Sequence, residues 1–288
     1  MSHEERVREA LLATGELPEP RAVPVGPRTK AEGRERLAET GRDLAALQEA
    51  LYAEGSTGGG RSVLLVLQGM DTSGKGGTVG HVLGMVNPQG VRVAGFGAPT
   101  EEERRHHFLW RIRPRLPDPG RIGVFDRSHY EDVLVPRVRG LLPAEQWRAR
   151  YAEIGAFERE LTASGTTIVK VFLHISPEEQ LERLRKRLTD PAKFWKYSPA
   201  DLDDRARWPD FQQAYADIIA RTSTRDEPWY VVPADRKWYR NWAVAALLVE
   251  TLRELAPRFP EPAYDRVAEL ARIDADTLTS ARATGSRG

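Results

Sequence analysis

The hydrophobic residues gather in five short runs, at 63–67, 91–96, 123–125, 167–174 and 229–232. Runs of this length, rich in valine and aromatics and bounded by glycine, proline or charge, predict buried β-strands. Between them the periodicity changes. Residues 31–53 set Leu37, Leu44, Leu47 and Leu51 at helical spacings, which predicts an amphipathic helix ahead of the first strand. Helical patterns also cover 101–113, 143–164 and 238–255. The first of these starts acidic and ends basic, as the helix dipole favours. Ser176-Pro177-Glu178-Glu179 reads as a helix start, with proline in the first turn and acids behind it. Strands separated by helices predict an α/β fold, a five-stranded parallel sheet with helices on both faces.

The ends read differently. Residues 4–13 predict a short helix, and the proline-rich 15–28 an extended arm over a surface. Residues 55–60, GSTGGG, form a flexible connector. Disorder is expected from about residue 274. The expected organisation is a helical and extended arm over 1–60, a main α/β domain over 61–258 and a tail over 259–288. Composition changes this picture little. Lys plus Arg total 43 against 42 Asp plus Glu, so the distribution of charge, not its sum, must point to a partner. The absence of cysteine removes disulfides, thiol catalysis and Cys-ligated zinc. The N-terminus is charged and has no apolar stretch of a signal peptide, and no run approaches the ~18 residues of a membrane helix. A cytoplasmic protein is expected.

The chemistry starts where the first strand ends. Gly69-Met70-Asp71-Thr72-Ser73-Gly74-Lys75 fits G-x-x-x-x-G-K, and Gly76, Gly77 and Thr78 follow. Strand, glycine-rich turn and helix start are the context of a phosphate-binding loop. Glycines let backbone N–H groups converge on an anion, and the helix N-terminus adds its positive end. Lys75 supplies a point charge. Gly76 stands where a hydroxyl usually binds Mg²⁺, and Thr78, roughly 200° round the helix from it, is a poor substitute. Asp71 is the nearby oxygen ligand, and a carboxylate among phosphates calls for a cation between them. The alternative is a ligand-free glycine turn.

The third strand ends in Asp126, followed by Arg127, Ser128, His129, Tyr130 and Glu131. In such a sheet the strand C-termini share the ligand-binding edge, so Asp126 should face Lys75 and Asp71 and hold the metal with Asp71. The competing role for Asp126 is a helix cap. Arg127 can fork onto phosphate oxygens, and Glu131 belongs to the same crevice or to a surface ion pair. Residues 181–196, LERLRKRLTDPAKFWK, hold six cations against two anions, a local charge of +4. Leu181, Leu184 and Leu188 predict an apolar stripe, with Arg183 and Arg187 sharing another face. The pattern is that of a lid folding over phosphates, or of a solvated basic face. Lys193 to Tyr197 interleaves cations with aromatics, as single-strand binders do, but no net basic domain supports nucleic acid.

Five blocks, in order, resemble the polyphosphate kinase 2 family in its single-domain form: GMDTSGKGGT, NPQG, DRSHYEDVL, the stretch from HISPEEQ to DDRARW, and PWYVVPADRKWYRNW. The resemblance spans roughly residues 35–259. It implies a P-loop kinase fold with a helical lid at about 181–208, and Mg²⁺ (or Mn²⁺) dependence. It further implies phosphate transfer between inorganic polyphosphate and ADP or AMP, reversibly to ATP or the guanine equivalents, in a homodimer or homotetramer. Carried over by position, Asp71, Lys75, Asp126 and Arg127 form the metal and phosphate centre. Arg183, Arg187, Lys193 and Lys196 become lid cations, joined by Asp203 and Arg205. Similar single-domain members often have Asp in place of Gly76 and Asn in place of Asp126. The pair here follows the branch that prefers diphosphates. Two other readings stand: an ATP-dependent nucleoside monophosphate kinase, and a non-catalytic polyphosphate or nucleic-acid binder.

Overall fold

A computed structural model describes residues 6–275, which fall into a unit ending at Arg258 and a second beginning at Phe259. In the first, helix α1 (Val7–Leu11) and the proline-rich arm lead to α2 (Lys30–Ser56). Thr29 and Glu32 close a reciprocal capping box at the start of α2. Then β1 (Ser62–Gln68), α3 (Lys75–Val82), β2 (Val91–Gly95), α4 (Glu101–Arg105) and β3 (Ile122–Asp126) follow. The chain continues through α5 (Glu131–Arg139), α6 (Ala144–Ala163), β4 (Thr166–His174) and α7 (Pro177–Thr189). It ends with α8 (Ala200–Ala206), α9 (Trp208–Thr222), β5 (Trp229–Pro233) and α10 (Lys237–Leu255). The five strands are parallel, in the order β2-β3-β1-β4-β5.

β1 lies at the centre and is buried along its whole length. Alternation divides its side chains between two cores. Val63, Leu65 and Leu67 pack with Leu44 and Leu51 of α2 and with the buried face of α10. Leu64 and Val66 pack on the opposite face with Ile154 and Phe157 of α6 and Phe211 and Ile218 of α9. This is why β1 reads as an unbroken apolar run: both faces are covered. Tyr239 and Trp242 lie buried in the first core, and Trp238 packs against it partly buried. The N-terminal arm belongs to the same unit: Val7, Leu11 and Val25 join that core, and Leu12 bridges to Tyr230 on β5.

Some elements differ from the sequence pattern. The helix expected over 101–113 stops at Arg105, because His106 leaves helical geometry and the chain turns Phe108, Leu109 and Ile112 into the core. Helix α5 carries Pro136 inside it, which masks its periodicity. Leu188, expected on the apolar stripe of α7, is exposed, while Arg183 takes a buried place beside Leu184. No helix of the described residues is long and apolar enough to cross a membrane. In the second unit Asp265 caps α11 (Arg266–Asp274) by accepting from the Val267 and Ala268 N–H groups. The disorder expected from about residue 274 lies, beyond Ala275, outside the described residues.

Candidate active site

Parallel strands bring the turns after β1, β3, β4 and β5 to one edge of the sheet. Register sets Asp126 beside Leu67 of β1 and Gly95 of β2. The loop from Gly69 to Gly74 joins β1 to α3 through left-handed backbone at Gly69, Thr72 and Gly74. A non-glycine residue at φ 65°, Thr72, is uncommon, and Arg127 shares that angle on the neighbouring turn. Two strained residues on adjacent loops fit a functional rim, where strain is held by the surrounding structure. Lys75 is buried, and its Nζ donates to the Gly69 carbonyl at 2.6 Å and the Met70 carbonyl at 3.4 Å. The hydroxyls of Thr72, Ser73 and Thr78 are buried with no hydrogen-bond partner. Buried hydroxyls are ordinarily satisfied, so these three, two on the loop and Thr78 on the first turn of α3, are an unusual cluster of unpaired polar atoms beside the loop.

Asp126 stands against the first turn of α3: a Cβ added to Gly76 would lie 3.4 Å from Asp126 Oδ2. Asp71 has a different partner. Its Oδ1 accepts from Arg127 Nη2 at 2.5 Å. Burial works to raise the Asp71 carboxyl, but the Lys75 and Arg127 charges outweigh it and hold the group below the ordinary carboxylate value. Burial opposes the Arg127 cation too, and Asp71 and Glu131 more than offset it. Lys75 is pushed down by burial against the pull of Asp71, Asp126 and Glu131. Glu131 is pushed up, by burial first. Gln68, oriented so that both ends of its amide are satisfied, donates to Glu131 at 3.0 Å and accepts from the Ser128 N–H and hydroxyl. Asp71, Lys75, Asp126, Arg127 and Glu131 thus form one electrostatic group at the ends of β1 and β3. His129 faces away, in a buried network where Glu158 accepts from Tyr130 and Lys170 and lies 3.2 Å from the His129 ring.

The basic hairpin does not converge as a set of free cations. Arg187 comes nearest to that role: its charge is felt at Asp71, and its Nη1 donates to Asp201 at 2.8 Å and to the Lys196 carbonyl at 2.9 Å. Arg183, expected as a second lid cation, instead has its donors committed. Its Nη1 bonds the Thr72 and Ser73 carbonyls at 2.9 and 3.0 Å, and its Nη2 the Ala234 and Asp235 carbonyls at 2.7 and 2.9 Å. Its Nε pairs with Glu179 at 2.8 Å. Every nitrogen of Arg183 is thus bonded to the chain, joining the loop to α7 and to the turn after β5. Arg205, expected at the phosphates, also turns inward, donating to the Pro177 carbonyl and to Gln180, whose amide donates to the Asp71 carbonyl. Lys193 is exposed beside Asp190, Lys196 is exposed over the Trp195 ring, and Asp203 is exposed on α8.

Three residues near this group carry little sequence signal. Asp201 is buried beside Arg187, and burial and the Asp71 charge raise its carboxyl. Tyr215, on α9, borders the cavity beside Gly69. Arg240, on α10, donates to the Ser73 carbonyl at 3.1 Å. Each arrives from a distant helix; Asp201 and Arg240 stood inside blocks of resemblance but were given no role there, and Tyr215 stood in none. A cavity of about 670 Å³ opens from the loop, with Asp71, Arg127, Glu131 and Tyr215 at one end and Phe108, Leu134 and Phe211 along its wall. Arg104, Arg111, Arg139 and Arg150 border it. His106 lines the cavity, and His107 lies 2.6 Å from Glu153.

Comparison with known proteins agrees with this geometry. Residues 28–260 match the family model described as polyphosphate kinase 2. The AMP/ADP-polyphosphate phosphotransferase of Meiothermus ruber is 52% identical over 233 residues, covering 81% of this chain and 86% of that protein. The ADP-polyphosphate phosphotransferase of Rhodopseudomonas palustris is 42% identical over 242 residues, covering 80% and 82%. The crystal structure of polyphosphate kinase 2 from Arthrobacter aurescens TC1 superposes with a TM-score of 0.92 at 46% identity, covering 96% of this chain and 99% of that one. The P-loop kinase fold, the glycine-rich loop after its central strand and these relatives agree: the chain belongs to the polyphosphate kinase 2 family.

Proposed function

We propose that the chain transfers the terminal phosphate of inorganic polyphosphate to ADP or AMP, reversibly, at the rim formed by the ends of β1 and β3. The observation that carries this reading is the convergence of Lys75, Asp126 and the Asp71–Arg127 pair at the adjoining ends of β1 and β3, beside a cavity of about 670 Å³ and within the field of Arg187. A cavity of that size is in the range that encloses a nucleotide. Residues 61–258 form the catalytic domain in this reading, 181–208 its lid, and the assembly is a homodimer or homotetramer.

The acceptor oxygen of a nucleoside phosphate is already anionic near neutral pH, so the reaction needs alignment and charge neutralisation more than a strong base. The loop amides from Gly69 to Gly77, the Thr72, Ser73 and Thr78 hydroxyls and Lys75 hold phosphate oxygens. Arg127 and Arg187 neutralise charge on the transferring group. Lys193 and Lys196, on the exposed lid tip, meet the polyphosphate chain, which carries about one negative charge per phosphate. Among the described residues no group of three or more His, Asp or Glu side chains could hold a metal alone. One or two carboxylates completed by phosphate oxygens and water is how proteins hold Mg²⁺. Asp126, and Asp71 through the oxygen not bonded to Arg127, are the residues that would hold Mg²⁺ or Mn²⁺. When bound, the ion neutralises the phosphates and fixes their orientation.

The test compares donors. Purified protein with ADP, Mg²⁺ and polyphosphate should produce ATP. ATP formed from ADP equally well without polyphosphate, together with ADP formed from ATP plus AMP, would replace this reading with that of a monophosphate kinase. Retention of polyphosphate with neither product would leave a binder.

A further inference from the structure

The phosphate loop is cradled from behind by two arginines. Arg183 reaches it from α7 and Arg240 from α10, and both donate to the Ser73 carbonyl, at 3.0 and 3.1 Å. Arg240 is 3% exposed. Its Nε and Nη2 donate to Asn241 Oδ1 at 3.1 and 2.7 Å, and among the described residues no carboxylate lies within 4.0 Å of it. The contact with the loop is intimate. A Cβ added to Gly74 would fall 1.6 Å from Arg240 Nη1, and one added to Gly77 would fall 3.2 Å from Nη2. Two glycines of the GKGG stretch therefore make room for a guanidinium as well as for a phosphate.

A buried cation without an anion is costly, and proteins ordinarily pair it. Here the compensation is partial: one loop carbonyl and one amide oxygen. The surroundings add positive charge. Burial pushes Arg240 down to about 9 with the help of the Arg183 charge. Lys237, one turn earlier on α10, is pushed down by burial and by both arginines. The excess charge sits directly behind Gly74, the residue from which the amides of α3 point towards an anion.

We infer that Arg240 is a positioning residue for phosphate binding: it fixes the Ser73 carbonyl on the outer side of the loop and lends its unpaired charge to whatever anion occupies the inner side. The missing counter-ion of Arg240 is then the substrate phosphate itself, held one backbone layer away. This rests on the reading of the loop as the phosphate site.

The test uses the full-length protein and tripolyphosphate, with binding measured by calorimetry at several salt concentrations. Arg240→Gln keeps a polar amide and removes the charge, whereas Arg240→Lys keeps the charge. The Gln variant should bind tripolyphosphate about tenfold more weakly, with a shallower salt dependence, as expected for one charge across a thin protein layer. The Lys variant should recover the salt dependence. Its KM for polyphosphate should stay closer to the wild-type value than that of the Gln variant. A purely architectural role would lower the melting temperature of both variants and leave the salt dependence unchanged. Wild-type affinity and salt dependence in Arg240→Gln would overturn the inference. Failure of the wild-type protein to make ATP from ADP and polyphosphate would instead strike at the functional reading, since tripolyphosphate binding is measured without turnover.

Discussion

Arg183 and Arg187 lie one helical turn apart, and the structure predicts that they fail differently when truncated. Arg183 donates to four carbonyls at 2.7 to 3.0 Å and joins the phosphate loop, α7 and the turn after β5. In Arg183→Ala the Ser73 carbonyl keeps Arg240, and three carbonyls lose a buried donor. At ~1–3 kcal/mol for each unsatisfied group the gross cost is ~3–9 kcal/mol. Removing the cation's own desolvation and admitting water returns part of this, leaving ~3–5 kcal/mol. At ~2–4 °C per kcal/mol for a domain of this size, the melting temperature should fall by roughly 6–20 °C. Arg187 is half-buried and bonds one carboxylate and one carbonyl, so Arg187→Ala should cost about 1–2 kcal/mol. It should lower turnover with polyphosphate by ~10²-fold, because its charge acts on the transferring group. Differential scanning fluorimetry beside steady-state kinetics checks both. Equal melting losses in the two variants, or an Arg183→Ala protein as stable as wild type, would refute the assignment of brace and catalyst.

Two further outcomes follow from the site's electrostatics. Asp71 is held below its ordinary value, so its pair with Arg127 contributes stability above pH about 3.8, lost as the pH falls through the lower folded-state value. The melting temperature of wild type should therefore exceed that of Asp71→Asn at pH 6, and the gap should start to narrow once the pH falls below about 3.8; a gap constant with pH would contradict the pairing. Gly76→Asp would set a carboxylate against Asp126, a repulsion of ~4 kcal/mol at a spacing of about 4 Å. Activity should fall, and the second change Asp126→Asn should restore most of it. A double variant less active than Gly76→Asp would show that the two positions do not share one charge.

The parallel sheet was legible because β1 is covered on both faces and so reads as a plain apolar run, and because glycine marks where its loop turns. Lys75, Asp71 and Asp126 were legible for the same reason: the fold dictates that strand ends meet at one edge. The hairpin was harder. Charge alone gives Arg183 and Arg187 the same helical face, yet the loop carbonyls take one inward and leave the other beside Asp201. Which acceptors surround a guanidinium depends on chain segments some 110 residues away in sequence, and no local pattern records them. Arg240 was hidden for a related reason. A buried arginine with no acidic partner looks, in sequence, like any polar residue at a helix start. Helix α5 was masked by Pro136, and the break at His106 by a charge pattern that suits a longer helix.

The central claim is that Lys75 and Asp126, from separate strand ends, serve one phosphoryl transfer between polyphosphate and a nucleotide. The most direct measurement is ³¹P NMR of a mixture of ADP, Mg²⁺ and polyphosphate with wild type, Lys75→Ala or Asp126→Ala at saturating substrate. Wild type should show loss of the internal polyphosphate signal, with the end-group signal kept until the chains are short, and growth of the ATP γ-phosphate signal, with both variants slower by ~10²-fold or more while still folded. Wild-type rates in either variant, or no ATP from wild type, would contradict it.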